Sequence, residues 1–395
     1  MRSIFAAIFV LLALLQPPDR TLVDPMDAIT FRAPEEKARV SIVPGIDGSA
    51  LRFDFNENCQ GVFAVRSASA APAWDQAEGI SFWVKGDGSR HLGGLEMIWN
   101  GDYATRFACA FPIDGTDWTK VTVPWRDLIP ELSKTDRTID PVAGLAPSKL
   151  GPIQFGKWWY WRDYAAHGYA IDDIRLERSI PRPGSDYRPT GDPLAHVRAK
   201  LAAGKPFAVV TMGDSLTDTA HWTNREHNWP ALFKEAARKA TGSEVGIVNP
   251  AMGGTELRHN VILLPRWTRA DPRPDLVTIW FGFNDYASGM RGAGFRAALE
   301  DAIDRVRRAT GGEADVIVLT TCPSGDKAEA LGEMAEACRA AAKARNAGLC
   351  DIYAAFQAAP DRKALFASDG VHLSLAGQEL AARSVLNTVK RAPSR

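Results

Sequence analysis

The stretch FAVVTMGDSLT, residues 207–217, decides the fold of the C-terminal half of this chain. Its first six residues are apolar or β-branched, which is typical of a short buried strand. Gly213-Asp214-Ser215 follows at once and places a serine at the C-terminal end of that strand, where open α/β sheets bind ligands. Near the end of the chain, Asp369 stands three residues before His372. Serine, histidine and aspartate are the parts of a nucleophilic triad, so the sequence predicts one here.

Strand and helix patterns alternate from residue 206 onward. This alternation predicts a parallel sheet covered by helices on both sides. The predicted strands are 206–212, 244–250, 275–281, 315–321 and 350–353.

Two further polar blocks follow predicted strands. The sequence NPAMGG occupies residues 249–254, and GFND occupies residues 282–285. Because the carboxyl ends of parallel strands meet at one edge of the sheet, we expect both blocks to lie beside Ser215.

Taken together, the blocks resemble the SGNH (GDSL-type) hydrolase family of esterases and acylhydrolases. The resemblance covers about residues 206–390 and implies a flavodoxin-like three-layer α/β/α fold. It implies that Ser215 is the nucleophile, with Asp369 as acid and His372 as base. It also implies an oxyanion hole, whose donors would be the backbone N–H groups of Ser215 and Gly254 and the side chain of Asn284. Gly253 is the alternative to Gly254.

Each of these residues also has a purely structural interpretation. Ser215 could be a helix N-cap, as Asp-Ser after a strand often is. Asn284 could belong to a plain turn, and His372 could be a capping or core histidine. Only their occurrence together favours catalysis.

The N-terminus has the pattern of an export signal. Arg2 precedes an apolar run of twelve residues, 4–15, which is too short to span a bilayer but suits a signal peptide. We therefore predict a signal peptide over residues 1–24 and a secreted or periplasmic protein. An uncleaved anchor and a buried first helix are the alternatives.

Residues 27–178 contain short alternating segments separated by turn signals, which predicts a β-sandwich. The segments ISFWVKGDG, TDWTKV and YAIDDIRL resemble galactose-binding-like jelly-roll domains, which include some carbohydrate-binding modules. A linker is predicted over residues 179–205, with a short helix at its end, and the catalytic domain over 206–395.

Aromatic residues suggest contacts with substrate. In the sequence KWWYWR, residues 157–162, adjacent rings cannot all point inward from a strand. Trp158 and Trp161 are therefore candidates to stack on sugar rings, and packing against the catalytic domain is the alternative. Trp222 and Arg225 follow the predicted nucleophile closely and are further candidates; the alternative is a helix start that enters the core.

The balance of charged residues indicates which classes of partner the protein binds. Lysine plus arginine and aspartate plus glutamate both number 47, which gives no sign of a nucleic-acid partner. No cofactor and no integral membrane partner are implied. His167, His196 and His259 look isolated from other metal ligands, so no metal is predicted, while Cys59 and Cys109 could pair after export.

The predicted activity is that of an exported serine esterase, specifically a carbohydrate O-acetyl esterase acting on an acetylated polysaccharide or oligosaccharide. The alternatives are a lipid acylhydrolase or thioesterase, and a glycan-binding protein with an inactive hydrolase domain.

Overall fold

The computed structural model describes residues 21–59, 61–66, 70–132, 137–182 and 184–391. Most of the predicted signal peptide, residues 1–20, lies outside the described residues. Leu22–Asp24 also fell within that prediction, yet they form a strand that pairs with His167–Glu177. A signal that ended at residue 24 would therefore include part of a sheet.

Antiparallel strands make up the N-terminal half. Their bounds are β1 Leu22–Asp24, β2 Ala38–Pro44, β3 Ser49–Phe55, β4 Val62–Arg66, β5 Gly79–Lys85, β6 Leu92–Trp99, β7 Asp102–Pro112, β8 Thr119–Pro124, β9 Ile129–Pro130, β10 Leu150–Lys157 and β11 His167–Glu177. One sheet has the order β2-β3-β11-β5-β8 with β1 on β11, and the other has the order β4-β10-β6-β7-β9.

The two antiparallel sheets enclose one apolar core. Alternate residues of β3, namely Leu51, Phe53 and Phe55, are buried, as the period of a strand with one covered face requires. The ring of Phe53 lies 5.5 Å from that of Phe155 on β10, which belongs to the other sheet. This half of the chain is described below as the β unit.

Parallel strands and helices make up the C-terminal half. The strands are β12 Phe207–Gly213, β13 Val245–Val248, β14 Leu276–Trp280, β15 Asp315–Leu319 and β16 Gly348–Cys350. The helices are α1 Ala195–Ala202, α2 Trp229–Thr241, α3 Leu257–Ile262, α4 Leu264–Thr268, α5 Phe283–Ala287, α6 Gly292–Thr310, α7 Gly332–Arg345, α8 Ile352–Gln357 and α9 Leu375–Lys390.

The parallel sheet has the order β13-β12-β14-β15-β16, the flavodoxin-like order. Val210 and Met212 on β12 face an apolar cluster that includes residues of α3, α4, α6 and α7. Phe207 and Val209 on the same strand face a second cluster, with residues of α1, α2, α8 and α9. Helices thus cover both faces, which is the three-layer arrangement that the alternating pattern predicts.

Two features of the structure differ from the sequence predictions, and one segment predicted as a linker contains a helix. The fifth strand is Gly348–Cys350 and not 350–353, because Asp351 caps α8 by accepting the N–H of Ala354. The segment predicted as a linker, residues 179–205, contains α1, and this helix buries Val197 and Leu201 against the sheet. The aromatic run 158–161 does not continue β10: residues 159–161 form a 3-10 turn.

The β unit and the parallel-sheet half share an apolar contact. Trp158, Tyr160 and Trp161 belong to the same cluster of buried residues as Met252 of the NPAMGG block and Trp267 of α4. We call this contact the seam.

Among the described residues, no helix combines the length and apolar character needed to cross a membrane. The five cysteines are all unpaired, so Cys59 and Cys109 do not form the disulfide considered from the sequence.

Candidate active site

The structure brings Ser215, His372 and Asp369 together at the carboxyl edge of the parallel sheet. Ser215 Oγ lies 2.9 Å from His372 Nε2, and His372 Nδ1 lies 2.7 Å from Asp369 Oδ2. These are hydrogen-bond distances, and the arrangement is the one that a serine nucleophile, a histidine base and an orienting acid require. Ser215 and His372 are half-buried, which leaves the serine accessible to a substrate.

The position of Ser215 follows from the chain around it. β12 ends at Gly213, and Asp214 turns the chain by accepting the N–H of Leu216 at 3.0 Å. Asn224, which is fully buried, donates to the Ser215 carbonyl at 2.7 Å and accepts from Gln378 of α9 at 2.7 Å. The nucleophile is therefore held by the same helix that follows His372.

Asp369 is prepared to orient the base. Partial burial disfavours its charge, but hydrogen bonds from the His372 side chain and from the N–H groups of His372 and Val371 prevail and lower the pKa of Asp369 to about 2. The carboxylate stays ionised at any ordinary pH, so it can fix the imidazole tautomer and stabilise an imidazolium.

The two glycines of the second block differ in their hydrogen bonds. The Gly253 N–H donates to Asp218 Oδ2 at 2.8 Å and is buried. Gly254 is exposed with φ of 77°, and no hydrogen bond among the described residues occupies its N–H or that of Ser215. This difference favours Gly254 over Gly253 as an oxyanion donor.

The Asn284 side chain connects the GFND block with the two blocks before it. Its side-chain amide donates to the Thr255 carbonyl at 3.0 Å and to Asp214 Oδ2 at 3.4 Å. The second contact is long and therefore weak, so it is the one that Asn284 would exchange for a substrate oxygen.

Buried carboxyl groups brace these blocks. Asp285 accepts the N–H groups of Leu257 and Gly282 at 3.0 and 3.1 Å, which ties α3 to the start of α5. Burial raises the pKa of Asp285 and that of Asp214 to about 7 each. Burial removes water from the two charged carboxylates and raises their pKa values, and the hydrogen bonds from backbone N–H groups offset this rise only in part.

His221 is a neighbour of the base that the sequence analysis missed. Its ring stacks on that of His372, with centroids 3.9 Å apart and an interplanar angle of 27°. Burial lowers the pKa of His221, and the adjacent His372 lowers it further. The only sequence signal was its position six residues after Ser215.

Trp222 and Arg225, the candidates for substrate contact after the nucleophile, are both exposed. Trp222 is 55% exposed, and its ring lies 5.7 Å from that of His221. Arg225 donates to the Ala220 carbonyl at 3.3 Å. Trp222 thus lies beside His221, which stacks on His372.

Trp158 and Trp161 do not offer ring faces to a ligand as the sequence analysis considered. They are 2% and 1% exposed and lie 4.8 Å apart in the seam. Because β10 ends at Lys157, the rings fold inward from a turn instead of alternating along a strand. Trp159, at 50% exposed, is the accessible aromatic of this group.

A cavity of about 790 Å³ opens at the seam. Both halves of the chain line it, with Arg162 and Asp163 from the β unit and Asp218, Met252 and Arg266 from the parallel-sheet half. Ser215 and His372 do not line the cavity, but Asp218 does, and Asp218 also accepts the N–H of Gly253 in the second block.

His167 is not isolated, contrary to the sequence analysis. One ligand atom each of His91, Asp163 and His167 lies within 4.8 Å of the others. This donor set suits a transition metal. However, His91 Nδ1 already pairs with Asp163 at 2.7 Å, and the buried Lys157 ammonium shares the Ala165 carbonyl with His167. We assign no metal to this cluster.

The part of the chain that contains these blocks is similar to known proteins. Residues 211–380 match the GDSL-like lipase/acylhydrolase family. This GDSL-like region contains Ser215, Gly254, Asn284, Asp369 and His372. The match supports the SGNH/GDSL resemblance for this part of the chain, and with it a hydrolase of the esterase type.

Among curated proteins, the isoamyl acetate-hydrolyzing esterase 1 homolog of Mus musculus is 25% identical over 199 residues, which are 43% of this chain and 76% of the relative. Among solved structures, a lipase/acylhydrolase from Enterococcus faecalis is 25% identical, with a TM-score of 0.41, and covers 47% of this chain and 95% of its own. Axe2, an acetylxylan esterase from Geobacillus stearothermophilus, is 21% identical, with a TM-score of 0.40, and covers 49% and 100%.

Proposed function

We propose that this protein is an exported serine esterase that removes acetyl groups from a polysaccharide or oligosaccharide. The observation that carries the proposal is the hydrogen-bonded series Ser215–His372–Asp369, with distances of 2.9 and 2.7 Å. A serine hydroxyl is a weak nucleophile until an adjacent base accepts its proton, and this arrangement supplies that base.

The reaction proceeds in two stages, acylation and deacylation. His372 accepts the Ser215 proton as Oγ attacks the ester carbonyl, and the N–H groups of Ser215 and Gly254 with the Asn284 amide stabilise the tetrahedral oxyanion. His372 then protonates the sugar oxygen as its bond to the carbonyl carbon breaks, so that the sugar leaves with a free hydroxyl and an acetyl-enzyme remains. In the second stage, His372 deprotonates a water molecule that attacks the acetyl group, and Ser215 regains its proton as acetate leaves.

The seam cavity favours a polar leaving group. Charged side chains from both halves of the chain line it, and these form ion pairs across it, such as Arg269 with Asp114 at 2.7 Å. A long acyl chain gains from an apolar pocket, whereas a hydroxyl-rich chain can form hydrogen bonds with these groups. A short acyl group agrees with the name of the curated mouse relative, an acetate-hydrolyzing esterase.

In this proposal, the β unit is a jelly-roll, carbohydrate-binding-like domain that forms one wall of the substrate cavity. Asp163 and Tyr164 line the cavity from this side, and the Tyr164 ring is 50% exposed. The exposed Trp222 provides a ring face beside His221, the neighbour of the base, which suits stacking on a sugar.

The test is acetate release from a panel of acetylated polysaccharides, run beside 4-nitrophenyl acetate and 4-nitrophenyl octanoate. Ser215→Ala should abolish every activity while the thermal unfolding midpoint changes little. The control is Ser185→Ala, which alters an exposed serine of the predicted linker and should behave like the wild type.

Each alternative has its own result. Octanoate turnover without polysaccharide turnover would indicate a lipid acylhydrolase or thioesterase. Absence of all hydrolysis, with retained binding to a polysaccharide, would indicate a glycan-binding protein. Full activity in Ser215→Ala would contradict the serine mechanism itself. Recovery of the protein outside the cytoplasmic fraction tests export separately.

A further inference from the structure

We infer that Arg162, supplied by the β unit, is a positioning residue for the oxyanion hole of the other half of the chain. Arg162 Nη2 donates to the Gly253 carbonyl at 2.8 Å, and Arg162 Nη1 lies 3.2 Å from Asp218 Oδ2. The inference rests on the proposed function, because it concerns how the Gly254 N–H is presented to a substrate.

The contact acts on a single peptide group. The Gly253 carbonyl and the Gly254 N–H belong to the same planar unit, in which the C=O and N–H bonds of a trans peptide point in opposite directions. Fixing the carbonyl toward Arg162 therefore fixes the N–H away from it. A cation at the carbonyl oxygen also polarises the amide, which strengthens the N–H as a donor.

Gly253 is held at both of its backbone polar groups. Its N–H donates to Asp218 Oδ2 at 2.8 Å, and its carbonyl accepts from Arg162. Arg162 and Asp218 contact each other, so one ion pair spans the residue before the oxyanion donor. Gly254 itself has φ of 77° and no neighbouring atom within 4 Å of the position where a Cβ would lie. Such a peptide is free to rotate unless its neighbour is fixed.

The backbone of Arg162 is fixed by the residues around it. It has φ of 46°, in the left-handed region that a non-glycine residue rarely adopts. The residues before it are anchored, since Trp158 and Trp161 are buried in the seam and the Trp161 carbonyl accepts from Arg266 at 3.0 Å. The guanidinium fork can satisfy the Gly253 carbonyl and Asp218 at once, which an ammonium cannot do in the same plane.

The test uses the full chain and 4-nitrophenyl acetate, a substrate too small to depend on the cavity. Arg162→Ala should lower kcat by about 10- to 100-fold, part of the loss expected when a whole oxyanion donor is removed. KM should change little. Affinity for an alkylboronic acid, which forms a tetrahedral adduct with the serine, should fall by the same factor as kcat/KM. Arg162→Lys should recover part of the loss and carries the test if Arg162→Ala fails to fold.

The control is Asp127→Ala. Asp127 pairs with Arg305 at 3.3 Å, so this variant also removes an ion pair between the two halves but leaves Gly253 untouched. It should keep kcat and boronate affinity. Wild-type kcat in Arg162→Ala, an unchanged boronate affinity, or an equal loss in Asp127→Ala would overturn the inference. Activity that survives in Ser215→Ala would instead overturn the proposed function, so the two failures are distinct.

Discussion

Two histidine rings lie face to face at the catalytic base. His221 covers one side of the His372 imidazole, and its Nδ1 contacts the Thr223 hydroxyl at 2.8 Å. Because burial and the neighbouring His372 both lower the pKa of His221, we expect a neutral ring there that supports His372 by packing.

This packing predicts the behaviour of two variants. His221→Ala should lower kcat on 4-nitrophenyl acetate by about tenfold, the equivalent of about 1.4 kcal/mol, because the base loses its orienting neighbour. His221→Phe keeps a flat ring and should retain most activity. His227→Ala, an exposed histidine in the same segment, is the control. Equal losses in the Ala and Phe variants would show that the His221 nitrogens, and not its ring face, matter.

At this scale the sequence selected Ser215, Asn284, Asp369 and His372 because they stand in short local blocks, and the structure brings Ser215, Asp369 and His372 within hydrogen-bond distance. Their catalytic roles are part of the proposal. The sequence analysis preferred Gly254, with Gly253 as the alternative, and the hydrogen bond from the Gly253 N–H to Asp218 favours the same choice. His221 was missed because stacking between residues far apart in sequence leaves no local pattern.

At the scale of elements, the turn that follows β10 differs most from expectation. Side-chain alternation predicted that some rings are exposed or cover an interface, but the strand stops at Lys157 and the turn returns Trp158 to the interior. The Trp158 indole N–H donates to Glu96 Oε2 on β6 at 2.7 Å. A run of aromatic residues does not show that a buried carboxyl on another strand will accept a hydrogen bond from one of them. The sequence therefore could not decide between packing in the interior and stacking on sugar.

Glu96 gives this element a pH-dependent stability. Burial and the nearby Glu131 raise the pKa of Glu96 well above its usual range. A carboxyl group with a raised folded-state pKa favours folding most below its unfolded-state pKa, and stability is lost as pH rises through the folded-state value. The protein should therefore lose stability from about pH 4 upward through this group.

Glu96→Gln mimics the protonated acid and should remove that part of the slope. The free energy of unfolding is measured by urea titration at several pH values. The value for Glu96→Gln minus the value for the wild type should increase as pH rises. A constant difference at every pH would contradict a neutral Glu96 and would favour a carboxylate paired with Arg106, whose Nε lies 3.5 Å away.

At the scale of the whole molecule, the seam joins a β unit and a three-layer unit through one continuous apolar cluster. Hydrophobic periodicity predicted the alternation of strands and helices after residue 206 and the short strands before residue 178, because both depend on local patterns. It could not predict the seam, since contacts between distant segments such as Trp161 and Arg266 are fixed only by the tertiary fold.

The continuous cluster predicts cooperative unfolding. The full chain should unfold in one thermal transition, with far-ultraviolet and near-ultraviolet circular dichroism giving the same midpoint, because neither half can separate without exposing apolar surface. Two resolved transitions would show that the halves are energetically independent, and the β unit would then be a separable domain.

The most direct test of the central claim is covalent labelling by a fluorophosphonate, followed by peptide mass spectrometry. The account predicts one modified site, Ser215, with labelling lost in Ser215→Ala and slowed in His372→Ala, because the serine needs its base to react. A label on another residue, or no label on the folded wild-type protein, would contradict a serine nucleophile at this position.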